Sequence, residues 1–309
     1  MMKFEKLMAF FDQKDIEGKT NLEKANEAKV IRRIASTDKN KSFEEISGEM
    51  ASEFPKGMVL EDGKLIGFGI HIFNEDVYPL QSFEIYLRSC GLTGTLDLRE
   101  CQDMIFLDLY HNKITEVKTG DMPAMRILGL QDNNIKEIDV RKLPVCQGID
   151  IGMNQLSAID VSNNEELVEL YVNDNDIKEI DLSNNRKLNY FYCHNNHISV
   201  LDTRKNPFLR HLNATGNPMT AIYSVAPQNA NMLPLELVAE GEGYVGLKYN
   251  PIYNAQWKET GEWEQTYYAY PKDGHNFTGW YDKKGNKISK EKVWKDVYGT
   301  GRELVAKFD

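Results

Sequence analysis

The chain contains 309 residues with a net charge of −10, 41% hydrophobic and 27% charged residues, which is typical of a soluble protein with two or three domains. The acidic balance argues against nucleic acid as the ligand, because phosphate binding needs clustered lysine and arginine. No window approaches the roughly 18 apolar residues of a membrane helix, so membrane insertion is not expected.

The N-terminal residues predict helices. The i, i+3, i+4, i+7 spacing of an amphipathic helix is followed by Phe4, Leu7, Met8 and Phe11. Glu5 and Lys6 interrupt this apolar run, which argues against a signal peptide. Capping boxes that open two further helices are predicted at Thr20-x-x-Glu23 and Ser42-x-x-Glu45. We therefore expect residues 1–62 to form an N-terminal helical cap.

A hairpin turn and a long internal repeat follow. Residues 61–64 predict a turn into a strand that starts at Leu65. From residue 85 the frame apolar-x-apolar-x-x-Asn-x-apolar recurs, with successive asparagines 21 residues apart. The repeated asparagines are Asn112, Asn133, Asn154, Asn175, Asn196 and Asn217. An earlier copy carries Cys90 in the asparagine position.

Each position of the repeat has a physical role. The apolar residues at spacing two point from a short strand into the core. The asparagine amide supplies a donor and an acceptor to backbone groups that are buried in the following turn. Because one copy cannot bury its apolar side alone, stacked copies predict a solenoid over residues 63–221, with a parallel β-sheet of about seven repeats.

Two further residue types occur at regular positions. A ladder of aspartates consists of Asp97, Asp139, Asp160, Asp181 and Asp202. We expect each to accept hydrogen bonds from nearby amides of a local turn, although calcium binding is an alternative for such carboxylates. The four cysteines are expected to be free thiols in the core.

A resemblance extends this interpretation. The string Ile180-Asp181-Leu182-Ser183-Asn184-Asn185, followed by Leu188-x-x-Phe191-x-Cys193-x-x-Asn196, resembles the 21-residue leucine-rich repeats of bacterial cell-surface proteins related to internalins. Residues 83–221 carry this resemblance. It implies an α/β leucine-rich-repeat solenoid and an extracellular or cell-surface location.

The C-terminal residues carry a second resemblance. The string Ala269-x-Pro271-x-x-Gly274-x-x-Phe277-x-Gly279-Trp280-Tyr281-Asp282 resembles the divergent internalin-type B repeat, a small β-grasp-like domain of surface proteins. Residues 222–309 are accordingly expected to form a linker and a β-grasp-like B-repeat domain. Phe277 and Trp280 are expected in its core.

The resemblance places the outward residues of the repeat strands on a concave face. Candidate partner-binding residues on this face are Asp108, Tyr110, Asp150, Tyr171, Asn173, Tyr190, Tyr192, His194 and His211. Tyrosine favours interfaces because it combines a large rigid surface with a hydroxyl group. The alternative is that these rings only stabilise the sheet by stacking across strands.

Enzyme chemistry is not indicated. The sequence contains no phosphate loop, nucleophile elbow or metal cluster, so no catalytic residue, metal or cofactor is predicted. Asp108 and Asp150 lie two strands apart, about 9–10 Å, which would suit a pair of catalytic carboxylates, but an open sheet offers them no enclosed pocket. The sequence predicts a monomeric, non-enzymatic surface or secreted module that binds a protein, with a glycan ligand or a purely structural spacer as alternatives.

Overall fold

The computed structural model describes residues 5–21, 23–24, 32–33, 58–61, 64–68, 84–85, 87, 89–102, 104–224, 235–255, 259–296 and 303–309. The chain divides into two compact units, Met1–Gln155 and Leu156–Asp309, here called the first and the second unit. The predicted helix at Ser42 lies outside the described residues.

Among its described residues, the first unit contains one helix and nine strands. They are α1 (Glu5–Phe11), β1 (Arg32–Arg33), β2 (Met58–Glu61), β3 (Lys64–Phe68), β4 (Glu84–Ile85), β5 (Thr93–Asp97), β6 (Phe106–Asp108), β7 (Lys113–Lys118), β8 (Ile127–Gly129) and β9 (Gly148–Asp150). Its main sheet has the order β2-β3-β6-β8-β9, in which the β2–β3 hairpin is antiparallel and the other pairs are parallel. The predicted hairpin is confirmed, because Glu61 pairs with Lys64.

The described ranges of the second unit contain twelve strands. They are β10 (Glu169–Tyr171), β11 (Tyr190–Tyr192), β12 (Val200–Asp202), β13 (His211–Asn213), β14 (Ala221–Ser224), β15 (Leu235–Glu240), β16 (Gly243–Tyr253), β17 (Glu259–Pro271), β18 (Phe277–Asp282), β19 (Lys287–Ser289), β20 (Val293–Asp296) and β21 (Glu303–Phe308). Its main sheet has the order β10-β11-β13-β16-β17-β20, and a second sheet has the order β12-β14-β15-β21-β18-β19.

The repeat coils of both units have the predicted leucine-rich-repeat solenoid fold, with the paired apolar positions fully buried, as at Leu107 and Leu109 or Leu170 and Val172. Helix is nearly absent from the described residues. α1 confirms the first predicted helix, and the capping box forms, since the Glu23 amide donates to Thr20 Oγ1 at 3.1 Å and the Glu23 carboxylate accepts from the Thr20 amide at 2.7 Å. The α component of the predicted α/β class is otherwise not found in the part of the chain that the structure describes.

The repeated asparagines satisfy buried backbone groups as predicted, and the structure shows that they do so by bridging successive coils. In the first unit, Asn133 Oδ1 accepts from the amide of Ile114 at 3.0 Å, and Asn133 Nδ2 donates to the Leu109 carbonyl at 3.0 Å. In the second unit, Asn196 Oδ1 accepts from the Ile177 amide at 2.9 Å and its Nδ2 donates to a carbonyl of the preceding coil. Each amide therefore satisfies buried backbone groups that water cannot reach.

The aspartate ladder has the expected turn-capping role. Oδ1 of Asp139 accepts from the Arg141 amide at 3.1 Å, and Oδ1 of Asp181 accepts from the Ser183 amide at 2.8 Å. The same bond to the amide two residues later recurs at Asp97, Asp160 and Asp202. The cysteines are free and buried, as predicted.

The C-terminal strands place the predicted aromatic residues in a core. Trp280 is fully buried and donates from Nε1 to the Glu291 carbonyl at 2.9 Å. Phe277 is half-buried and packs against it, with ring centroids 5.3 Å apart. The turn after β18 is closed by the Asn286 amide, which donates to Asp282 at 2.8 Å.

Candidate functional site

The predicted site residues of the first unit are mostly buried. Asp108 at the end of β6 is 1% exposed, and its Oδ1 accepts from the Tyr110 amide at 2.9 Å. Asp150 at the end of β9 is 5% exposed and accepts from the Gly152 amide at 3.2 Å. These carboxylates therefore fix the chain at the strand ends and present little surface to a partner. Tyr110 is half-buried, and its ring lies beside His111.

Three parallel strands position the site residues of the second unit. β10, β11 and β13 pair in register, so that Glu169, Tyr190 and His211 form one row across the sheet. Tyr171, Tyr192 and Asn213 form the next outward row. The row between them, Leu170, Phe191 and Leu212, is fully buried. Alternation along each strand thus turns both flanking rows to the same face, as the period of two requires.

The rings on this face pack against one another. Tyr171 and Tyr192 meet edge to face with centroids 5.2 Å apart, and Tyr190 stacks on His211 at 4.0 Å with an interplanar angle of 6°. His194 meets the edge of Tyr192 at 6.2 Å. We call these five residues the aromatic cluster. Asn173 lies just outside it, 8% exposed, and donates to Asp174 at 2.8 Å.

Burial determines the charge state of both imidazoles. Desolvation, helped by the nearby Arg210 charge and opposed by a hydrogen bond with Asn250, lowers the pKa of His211 to about 4. Desolvation also lowers the pKa of His194, although Asp174 opposes it. At neutral pH both rings are therefore uncharged. The two rings therefore add no positive charge to this face at neutral pH.

Tyr192 responds to the same burial. Its pKa is raised by desolvation and by the negative charge of Glu169, so its hydroxyl stays protonated at neutral pH. The Tyr171 hydroxyl donates to the Glu169 carboxylate at 3.3 Å. Tyr171 and Tyr192 are both half-buried, and they present ring edges and hydroxyls on the outward face of the sheet.

The structure adds residues that were not predicted. β13 pairs antiparallel with β16, placing Lys248 beside Asn213, and β16 pairs with β17, placing Tyr268 beside Gly246. Lys248, Tyr268 and Tyr270 therefore lie on the same face as the aromatic cluster, by the alternation of the strands. The Tyr253 hydroxyl lies 3.5 Å from His211 Nε2. The alternating Tyr268-x-Tyr270 pattern marks a strand, but the sequence does not indicate which sheet that strand joins.

A glycine makes room for this extension of the face. A Cβ on Gly246 would lie 3.0 Å from the Tyr270 ring and 3.3 Å from Thr215 Cα. The Tyr270 hydroxyl also accepts from the Gly216 amide at 3.4 Å. Tyr270 consequently lies across β16 and against the last repeat coil, joining the C-terminal strands to the predicted site.

The described residues form neither a metal-binding cluster nor a helix that could cross a membrane. In the described ranges, no group of three or more His, Cys, Asp and Glu side chains is arranged to hold a metal ion. His194 and His211 point to different neighbours, Asp174 and Tyr190. None of the helical residues described here forms a segment of sufficient length and apolarity to cross a bilayer.

Comparison with known proteins gives similarities of fold only. No family model and no curated protein matches the sequence. Among solved structures, an internalin (inlF) of Listeria monocytogenes is 21% identical with a TM-score of 0.32, and the match covers 40% of this chain and 45% of that one. The functional domain of InlJ from the same organism is 14% identical with a TM-score of 0.41, covering 74% and 66% of the two chains.

Internalin C2 of Listeria monocytogenes is 19% identical with a TM-score of 0.35, covering 44% of this chain and 72% of that chain. Because these matches are partial and low in identity, the leucine-rich-repeat assignment rests on the coils themselves. Their asparagine ladder, buried apolar positions and parallel strands define the class.

Proposed function

We propose that this chain is a non-enzymatic module that binds a protein partner on the outward face of the main sheet of the second unit. The aromatic cluster is the observation that carries the proposal. Half-buried tyrosines that are held by neighbouring rings lose little conformational entropy on binding, and tyrosine contributes a large share of binding energy at interfaces. Five of the nine residues predicted from the sequence belong to this cluster.

A protein partner suits the ring geometry better than a glycan does. Sugar rings stack on open aromatic faces, but His211 covers one face of Tyr190 at 4.0 Å. Tyr171 and Tyr192 are arranged edge to face, so that one ring blocks the other. The surface therefore offers ring edges and tyrosine hydroxyls, which suit the side chains and backbone of a protein.

Substitution of two tyrosines tests this proposal. We expect Tyr171→Ala combined with Tyr192→Ala to weaken binding by at least tenfold, because such anchors contribute about 2 kcal/mol or more. The measurement is quantitative affinity capture from extracts, followed by biolayer interferometry with each protein recovered. Tyr223→Ala is the matched control, because Tyr223 is a half-buried tyrosine on β14 of the other sheet.

The expected partner is retained by the wild-type chain and by the Tyr223→Ala control and is lost with the double substitution. Circular dichroism of each variant checks that the fold is intact. Retention of every protein by the doubly substituted chain would contradict the proposal, and a glycan array tests the alternative ligand class.

The remaining parts are proposed to support this binding. Residues 1–62 would cap the repeats, residues 63–221 would carry the partner, and residues 222–309 would form a linker with a β-grasp-like spacer. A monomeric chain that is secreted or held at the cell surface suits such a division. Light scattering on the purified chain tests the monomeric state, and fractionation of the source cells tests the location.

A further inference from the structure

Lys248 stands out among the cations of the second unit's main sheet. It is exposed on β16, directly beside Asn213 and on the face that carries the aromatic cluster. Its basic neighbours already hold carboxylates: Lys295 pairs with Glu264 at 2.7 Å, and Arg210 pairs with Glu259. Among the residues that the structure describes, no carboxylate forms an ion pair with Lys248.

Polar groups around Lys248 complete a small recognition site. The Thr215 hydroxyl donates to Asn213 Oδ1 at 2.8 Å, which fixes the Asn213 amide next to the lysine. His194 Nδ1 is buried and has no hydrogen-bond partner among the described residues. The Lys248 charge is close enough to His194 to contribute to the lowering of the histidine pKa. A ligand here meets the Lys248 ammonium group beside the Asn213 amide on the neighbouring strand.

These groups define the chemistry of a complementary ligand. An ammonium group with neighbouring hydrogen-bond donors attracts a carboxylate, and the bond is charge-assisted. The chain carries a net charge of −10, which repels anionic partners at long range, whereas an exposed cation without a carboxylate partner attracts an anionic group locally. Lys248 therefore gives the face a preference for an acidic group at one position, which the tyrosines alone do not supply.

We propose that Lys248 receives an aspartate or glutamate side chain of the protein partner, so that the partner presents an acidic segment to this face. The residues flanking the carboxylate pack on the aromatic cluster on one side and on Tyr268 and Tyr270 on the other. The six strands of the main sheet span about 24 Å at about 4.8 Å each, which an extended segment of about seven residues crosses. This inference rests on the proposed function, since it specifies the partner of the same face.

A selection from a random display library of 12-residue peptides tests the inference. The wild-type chain, Lys248→Met, Lys248→Arg and the Tyr171→Ala/Tyr192→Ala chain are panned in parallel. Lys178→Met is the matched control, because Lys178 is also exposed in the second unit but lies outside the strands of this sheet. Deep sequencing gives the Asp and Glu content of each enriched pool.

We expect the wild-type, Lys248→Arg and Lys178→Met pools to be enriched in acidic residues, and the Lys248→Met pool to lose this enrichment. A synthetic peptide from the wild-type pool should bind Lys248→Met about two- to tenfold more weakly. Peptides that bind through the tyrosines without acidic enrichment, or that bind Lys248→Met equally well, overturn the inference but leave the proposed function standing. If no peptide depends on the tyrosines, the proposed function fails and this inference fails with it.

An array of glycans that carry uronic or sialic acids separates the remaining ligand class. No binding to it is expected. Lys248-dependent binding of acidic glycans in the absence of acidic peptides would overturn the assignment to a protein segment.

Discussion

The two units use the same 21-residue coil but fill one of its buried positions with different chemistry. In the first unit this column is apolar and consists of Cys101, Met122 and Leu143. In the second unit the same column is polar and consists of Asn164, Asn185 and Asn206, all at most 1% exposed. This buried position of the coil can therefore hold either an apolar side chain or an asparagine whose amide bonds to the preceding coil.

The hydrogen bonds of the second column explain this substitution. Asn185 Nδ2 donates to the carbonyls of Val161 at 3.0 Å and Asn164 at 2.9 Å, and Asn206 repeats the pattern with Leu182 and Asn185. The outward faces of the two units also differ in their residues. In the first unit β6 and β9 end at the buried Asp108 and Asp150, whereas the second unit presents the aromatic cluster. A single repeat framework thus carries regions with different surface chemistry.

The largest expected loss of stability comes from truncating a side chain of the apolar column. Leu143→Ala should lower the free energy of unfolding by about 2–5 kcal/mol, because a buried leucine leaves a cavity. Asn185→Leu should cost less, about 1–2 kcal/mol, because each of its two acceptor carbonyls keeps a backbone donor, Asn164 N at 3.0 Å and Leu167 N at 3.1 Å. Urea denaturation followed by circular dichroism measures both values.

Asn184→Ala is the control for this comparison. Asn184 is exposed, adjacent in sequence, and makes one hydrogen bond to the Ser162 carbonyl at 3.0 Å, so its loss should be under about 1 kcal/mol. If Asn185→Leu were as harmless as Asn184→Ala, the second asparagine column would contribute no stability beyond filling space.

The histidines of the two units differ in burial, and the buried His211 predicts acid sensitivity. His111 in the first unit is exposed, whereas His211 in the second is buried, with a pKa of about 4 against an ordinary value of 6.5. Between these two pH values the unfolded chain binds a proton that the folded chain does not. Acidification through this window should therefore lower the free energy of unfolding by up to about 3 kcal/mol.

His211→Gln isolates this effect. The variant should lose most of the slope of stability against pH between about pH 6.5 and pH 4, while His197→Gln, at an exposed histidine of the same unit, should keep it. The measurement is the urea midpoint at half-unit steps of pH. An unchanged slope in His211→Gln would mean that other groups cause the acid sensitivity.

The sequence predicted the coils because their period is local and repeated. The asparagine ladder, the aspartate turn caps and the inward apolar pairs each depend on residues at fixed spacing, and all are confirmed. The second asparagine column follows the same 21-residue spacing in the sequence, although it is not among the predicted features. The placement of Lys248 and Tyr268 on the site was not readable, because it depends on β16 pairing with β13 across more than thirty residues.

The smallest expected effect concerns backbone strain at the turn before each asparagine. Met153 has φ 53° in the first unit, while Gly216 holds the equivalent position in the second with φ 66°. Side chains with a Cβ disfavour this left-handed region, so Met153→Gly should raise the free energy of unfolding by about 0.5–1 kcal/mol. The gain is partly offset by the greater entropy of glycine in the unfolded chain, and the shift of the thermal midpoint measures the net effect.

The reverse change sharpens this last comparison. Gly216→Ala should destabilise the fold, because the new Cβ would lie 2.2 Å from Asn195 Oδ1 and that side chain must move. Asp174→Gly should gain less than Met153→Gly, since Asp174 accepts from Asn195 Nδ2 at 2.7 Å and from Asn173 Nδ2 at 2.8 Å. If Met153→Gly destabilised the fold instead, the methionine side chain would contribute more to the free energy of unfolding than its strained backbone costs. The contacts of the Met153 side chain would then outweigh the cost of its left-handed backbone, as the hydrogen bonds of Asp174 are expected to do at the equivalent position.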